Sequence, residues 1–491
     1  MKAVITTCLS LYTVRVVLKA LTDSDYGLYM LIAGVVTMLG FITNSLIVTT
    51  QRYISLLHGK GNIEHVRRLF VNSMVLHWVI GLLLAALLAS LEPWLMTRFL
   101  NIPAGREETA ATVYFIMIFV LFMTILSAPL KALFIARENI AYIAGVEVLD
   151  ALLKLALAYS LLTMGGDRLL VYVWALLGIQ VLNFFVFYVY ALWRFPECTL
   201  VFRRRDLRRD EIVQLLSFAG WTTYGMGAVT VRTQGIAVVL NHFLGTVVNA
   251  AYGIAMQVYM GLSIVTTSIF NAMNPQIMKA EGEGRREKMY YMAGLESKFS
   301  VAMMSIVAMP IIFEMPTILS LWLDTVPAHT VMFCRLILIS FLCDLLTLGL
   351  NTAIQAIGEL KVYTLLIYTP KLLTLPLAWV ILKYTGSVSA MMWAYVVIEL
   401  LMALARLPYM CRRHALDVVV YGRTVLMPVT WLVASLLLTD LACMHFYANL
   451  GRLILTFAAS GIVGAVVFWG VSMRSEERQF VYSLLQKFRK R

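Results

Sequence analysis

The sequence predicts an all-α, polytopic membrane protein with about 14 transmembrane helices, arranged as two six-helix lobes plus two extra helices. Three observations predict it. Of 491 residues, 61% are apolar and only 14% charged, with a mean hydropathy of +0.82; soluble domains run near half apolar and a quarter charged. Long apolar stretches recur along the whole chain, and 14 spans of about 22 residues leave about 183 positions for connections, too few for a separate soluble catalytic domain. Lysine and arginine, finally, are distributed by side.

Residues 3–20 form the first span. One lysine precedes an apolar run that lacks a small-residue cleavage site, so the segment reads as a retained helix rather than a signal peptide. Runs at 26–50, 69–91, 108–135, 142–163 and 169–192 complete a first set of six. Runs at 214–240, 248–274, 298–322, 329–354, 363–384 and 388–406 form a second set, and 424–442 and 451–472 follow. Each is long enough, at about 1.5 Å per residue, to cross a hydrocarbon core of about 30 Å. Trp94, Trp193, Trp221 and Trp322 fall near span ends, where indoles favour the interface. The tail places Phe480, Leu484 and Phe488 on one helical face among basic residues, which reads as an amphipathic helix on the inner leaflet.

With the amino terminus inside, 27 of the 40 lysines and arginines fall in cytoplasmic segments and four on the opposite side. That asymmetry is what positive-inside insertion produces, and it places both termini in the cytoplasm. The formal charge of +13 therefore has a topological origin and implies no nucleic-acid partner. Tyr26-Gly27 and Tyr252-Gly253, Gly59-Lys60-Gly61 and Gly282-Glu283-Gly284, and Val16-Val17-Leu18 and Val238-Val239-Leu240 recur in one order at nearly one offset. They suggest parallel repeats. The domains expected are a first lobe at 1–192, a basic connector at 193–213, a second lobe at 214–406, two spans within 407–472 and a basic tail at 473–491.

No histidine–carboxylate or nucleophile–base constellation lies in a loop, and His77 is the only histidine well inside a span. The six cysteines are scattered without a C-x-x-C pair, so neither a metal site nor a disulfide framework is expected. The informative residues are charges within spans, each costing about 2.5–3.5 kcal/mol near the bilayer centre. Lys19, Lys131, Lys383 and Arg406 sit near span ends and can snorkel. Arg15, Arg232, Arg335 and Lys371 lie deep, set against Glu147, Glu314, Asp344 and Glu399. Either they pair across helices or several basic groups line a wet cavity and await an anion, where arginine grips phosphate bidentately. Arg232, Gln234, Arg335 and Lys371 are cavity candidates by depth. Glu147, Asp150 and Lys154 form one helical stripe suited to coupling transport to a proton or sodium gradient, or to a plain salt bridge. Pro370 and Pro376 flank Lys371 and predict a kink there.

The runs VRVVLKALTDSDYGLYMLIAGVV, RYISLLHGKGN, GIAVVLNHFLGTVVNAAYGIAMQV, LSLWLDTVP and IGELKVY resemble polysaccharide-type flippases of the multidrug/oligosaccharidyl-lipid/polysaccharide exporter superfamily. The resemblance implies a V-shaped pair of six-helix lobes around a cationic cavity. It also implies alternating-access transfer of undecaprenyl-pyrophosphate-linked oligosaccharide to the outer leaflet of a bacterial inner membrane. Arg15 and Arg52 occupy places where such flippases often set arginines near the pyrophosphate. Relatives usually carry a polar, basic lead before the first span, so a trimmed start or a late first methionine is expected. A drug–cation antiporter would want an acidic cavity, and a membrane polymerase a sizeable outer loop; the expectation is a non-enzymatic monomer without cofactor. Its partners are the lipid-linked oligosaccharide, the bilayer and, as candidates, polysaccharide assembly proteins.

Overall fold

The computed structural model describes residues 2–21, 23–37, 39–96, 102, 105–198, 207–323, 325–447, 449–474 and 477–478, and every regular element among them is helical. The chain forms two compact units, Met1–Gly227 and Ala228–Arg491. The first holds α1 (Lys2–Ala20), α2 (Asp23–Thr37), α3 (Gly40–Gly59), α4 (Ile63–Trp94), α5 (Glu107–Ala136), α6 (Ile140–Thr163), α7 (Arg168–Arg194) and the start of α8 (Arg209–Gly282). The second holds the rest of α8, then α9 (Arg286–Trp322), α10 (Thr330–Leu345), α11 (Leu348–Ile357), α12 (Leu360–Leu372), α13 (Thr374–Thr385) and α14 (Val388–His414). Short α15 (Val418–Tyr421) leads through a π-turn into α16 (Met427–Cys443), and α17 (Leu450–Val467) follows.

Gly245 breaks α8 with φ 78°, a left-handed conformation that glycine adopts without strain. With that break, and with α2–α3, α10–α11, α12–α13 and α15–α16 each counted as one span, the described elements make the expected 14. Among the described residues nine segments are long and apolar enough to cross a membrane, with α12–α13 and α15–α16 each taken as one, and ten if α10 and α11, bent by 45°, are one span. Of the others, α6 carries three charges, Glu147, Asp150 and Lys154, and α2 is only 15 residues long. Trp94 and Trp322 close α4 and α9 and are half exposed, as interface anchors should be.

The span read at 26–50 is two helices meeting at Leu39, the second running on to Gly59. The unit boundary falls at Gly227, inside α8, rather than in the connector at 193–213. Polar contacts explain this. Ser45 on α3 donates to the Ala219 carbonyl (3.0 Å) and accepts from Thr223 (2.8 Å), while Asn72 on α4 donates to Glu211 (2.7 Å). The start of α8 is thereby tied to the first unit. Residues 199–206 and 479–491, which hold most of the basic run and the amphipathic tail, lie outside the described residues.

The units repeat their packing. α5 pairs with α4 and α7 as α10 pairs with α9 and α14, and α6 lies on α7 as α12 and α13 lie on α14. α1 packs on α6, and in the second unit Gly235 of α8 faces Leu375 of α13. The apolar positions of α5 surround the whole helix, so it sits at the centre of the first unit with two thirds of its span buried. α9 plays that role in the second, against α10, α11, α16 and α17. At Gly349 a Cβ would lie 1.8 Å from the Ala293 carbonyl oxygen, a backbone clash no rotamer relieves. Gly349→Ala should lower stability by about 3 kcal/mol, read as a lower unfolding temperature in detergent. Gly145→Ala, where a Cβ meets nothing within 4 Å, should leave it unchanged or raise it.

Where α3, α5 and α7 end, fully buried Glu197 accepts from His58 (2.9 Å) and from Arg137. Burial alone would raise its pKa; the His58 hydrogen bond and the Arg137 charge outweigh burial and hold the carboxyl below its usual range. A depressed folded pKa stabilises above the unfolded value of 4.5 and is lost as pH falls through the folded one. Wild-type stability should therefore drop more steeply below pH 4.5 than that of Glu197→Gln, in unfolding measured across acid pH.

Candidate functional site

Four helices of the second unit bring five charges around a cavity of about 220 Å³: Arg232 from α8, Asp344 from α10, Lys371 from α12, and Glu399 and Arg406 from α14. Arg232, Lys371, Glu399 and Arg406 are all at most 4% exposed. Glu399 pairs with Arg232 through one oxygen and with Lys371 (2.6 Å) through the other. Lys371 also reaches Asp344 (3.1 Å), which accepts from Arg406 (2.7 Å). Three cations thus share two carboxylates, leaving one positive charge in excess.

The breaks in the helices build this chain. α10 ends at Leu345 and α11 starts at Leu348, freeing carbonyls at the bend. Arg406 fills that gap, donating to the Asp344 carbonyl (3.1 Å) and to Thr347 Oγ1 (3.2 Å), while Thr347 donates to the Ala403 carbonyl (2.8 Å). The expected kink at Pro370 and Pro376 is the junction of α12 with α13, immediately after Lys371. Tyr395 lies 4.6 Å below the Arg232 guanidinium and Tyr368 lies 5.8 Å from the Lys371 ammonium. Arg232 Nε and Arg406 Nε have no acceptor among the described residues.

Of the residues singled out in the sequence, Arg232 and Lys371 meet here, each paired with carboxylate rather than bare. Arg335 serves elsewhere: it donates to the Ile312 (2.8 Å) and Phe313 (3.2 Å) carbonyls of α9. The first of these is the carbonyl that Pro316, lacking an N–H, leaves free. Gln234 is exposed and does not line the cavity. In the first unit, Arg15 is exposed, and Arg52 is buried with its guanidinium 4.6 Å from both the Tyr53 and Phe218 rings. Asp150 accepts from Lys154 (2.8 Å) and from Asn183 (2.7 Å), so that stripe holds a formed ion pair, and Glu147 is likewise engaged. Glu314 pairs with Arg452 of α17 (2.7 Å).

Arg406 corrects the snorkelling expectation. α14 runs on past Pro408 to His414, which puts Arg406 two turns inside the helix and only 1% exposed. The CRRH run at 411–414 was the available signal, since basic residues favour a helix's last turn.

The family model described as polysaccharide biosynthesis protein matches residues 1–281. No curated relative matches the chain. A structure described as an outward-facing multidrug resistance MATE family transporter of the MOP superfamily shares 16% identity at a TM-score of 0.73, over 84% of this chain and 92% of that one. A MOP superfamily transporter from Pyrococcus furiosus, described by the reverse polarity of its binding pocket, gives 15% and 0.68 over 84% and 93%. A MATE structure in the bent conformation gives 15% and 0.72 over 84% and 93%. Fold and helices define a multi-pass membrane protein that shares the fold of these transporters. The chain belongs to the polysaccharide biosynthesis protein family.

The pairing pattern predicts an order of costs. Glu399→Gln leaves Arg232 without a carboxylate, which for a buried pair costs about 3–5 kcal/mol. Lys371→Met leaves Arg232 with Glu399 and Arg406 with Asp344, and should cost much less. Thermal unfolding in detergent should rank the two variants that way, and Arg232→Met with Glu399→Gln together should recover much of the loss.

Proposed function

We propose that this protein is a flippase that carries a diphosphate-linked, lipid-anchored oligosaccharide across the inner membrane of a bacterium. The observation that carries the reading is the excess cation of the second unit's cavity, Lys371 bridging Glu399 and Asp344 between two arginines with spare N–H donors. Family membership in polysaccharide biosynthesis supports the substrate class.

The physical logic is partner exchange. A diphosphate and sugar crossing hydrocarbon unaided face a prohibitive desolvation barrier. A bare cation waiting for them at that depth would itself be costly to hold. Pairing each cation with a shared carboxylate removes that cost in the empty state. An arriving diphosphate then competes with Asp344 and Glu399 for Lys371 and the guanidinium edges, gaining bidentate donors as it does so. Release is easy because the carboxylates return. The prenyl tail stays in lipid throughout. An organic cation would find both carboxylates of this cavity already engaged, which disfavours a drug–cation antiporter.

Lys371→Met tests the reading, because it removes the excess charge while leaving every other charge a partner. It should cut surface polysaccharide at least about tenfold, the effect of losing about 1.4 kcal/mol of binding, at unchanged protein level in the membrane. Lys371→Arg should restore part of it. Normal polysaccharide with Lys371→Met would overturn the proposal.

A further inference from the structure

Glu296 stands apart from the other carboxylates of the second unit's helices. It lies on α9 where that helix meets α11, at the tightest seam of the unit: the Gly349 backbone touches Ala293 and its N–H donates to Ser297 Oγ (2.8 Å). Glu296 is fully buried, and neither carboxylate oxygen has a hydrogen-bond partner among the described residues. The Thr352 hydroxyl, also fully buried, faces it from α11 and is the hydroxyl available to it. Ser300, one turn along α9, is another buried hydroxyl without a partner.

No described basic group makes an ion pair with Glu296. α11 carries no ionisable residue. On α10, Arg335 is held by α9 carbonyls and Asp344 belongs to the cavity network. On α16, Asp440 accepts from Ser460, and on α17 Arg452 binds Glu314. Lys298, two residues on, turns to Glu477 (2.7 Å). Tyr421 of α15 is the titratable neighbour, and its hydroxyl donates to the Leu346 carbonyl (2.9 Å). An ionised carboxylate buried in this seam would lack a compensating cation, whereas a neutral acid can donate to a hydroxyl and be accommodated.

We propose that Glu296 is a proton-binding site, loaded while the α9–α11 seam is closed and emptied when the seam opens. On opening, water reaches the carboxyl and takes its proton; on closing, a proton from water must return before the group can be buried again. α11 is the second half of the bent span that carries Asp344 at its break, so proton exchange at Glu296 is linked to movement of an element that holds the cavity network. The site involves no property of the lipid-linked substrate, and its test needs none.

Infrared difference spectra of the purified protein in lipid nanodiscs, taken across a pH titration, read the protonated carboxyl directly. The wild type should show a C=O band of a buried neutral carboxylic acid at neutral pH that is insensitive to sodium, and Glu296→Gln should lack it. Amide hydrogen exchange over 348–357 should quicken about tenfold or more beyond the intrinsic base-catalysed rate once the band disappears, and lose that step in Glu296→Gln. If Glu296→Gln fails to accumulate, Thr352→Val must shift the band of the otherwise intact protein. A band unchanged by either substitution, a band displaced by sodium, or an α11 exchange profile identical in wild type and Glu296→Gln would overturn the proposal.

Discussion

The second unit is organised around three cations that share two carboxylates inside a helical bundle. Arg232, Lys371, Arg406, Asp344 and Glu399 come from four helices, and neither carboxylate can leave without stranding an arginine. The network fixes where α10 breaks, because Arg406 satisfies the carbonyl and the Thr347 hydroxyl at the bend. It also gives α12 a reason to stop beside Lys371. Charges that would be intolerable singly at this depth become a structural joint when shared.

The same sharing suits the proposed carrier. A cavity of bare cations would bind a diphosphate too tightly to release it and would be hard to insert into a membrane. A cavity of strictly matched pairs would give an anion no advantage. One cation in excess lies between these limits. The pattern differs from the first unit, where Arg52 lies against the Tyr53 and Phe218 rings and Asp150 is neutralised one helical turn away by Lys154.

Fold class and span order were legible in the sequence because hydropathy and the lysine–arginine bias act over windows of twenty residues and average out local detail. The charged residues of the site were legible in kind, since a deep Arg232 or Lys371 must find company. Their partners were not. Pairing depends on which helix faces turn toward one another, so Glu399 could not be assigned to Arg232 and Lys371 from spacing, nor Arg335 to a carbonyl exposed by Pro316. Arg406 was hidden because the apolar run closes at 406, whereas α14 continues to His414. Glu296 was hidden by its neighbours: Glu287, Lys288 and Lys298 surround it with charge in sequence, and only the fold buries it against α11.

Direct binding reads the proposed exchange of a carboxylate for a diphosphate at Lys371. Purified protein in nanodiscs should bind undecaprenyl diphosphate saturably, and undecaprenyl monophosphate more weakly. Lys371→Met should lose the diphosphate affinity at least about tenfold, while Gln234→Ala, outside the cavity, retains it. Equal diphosphate binding by wild type and Lys371→Met would contradict the account.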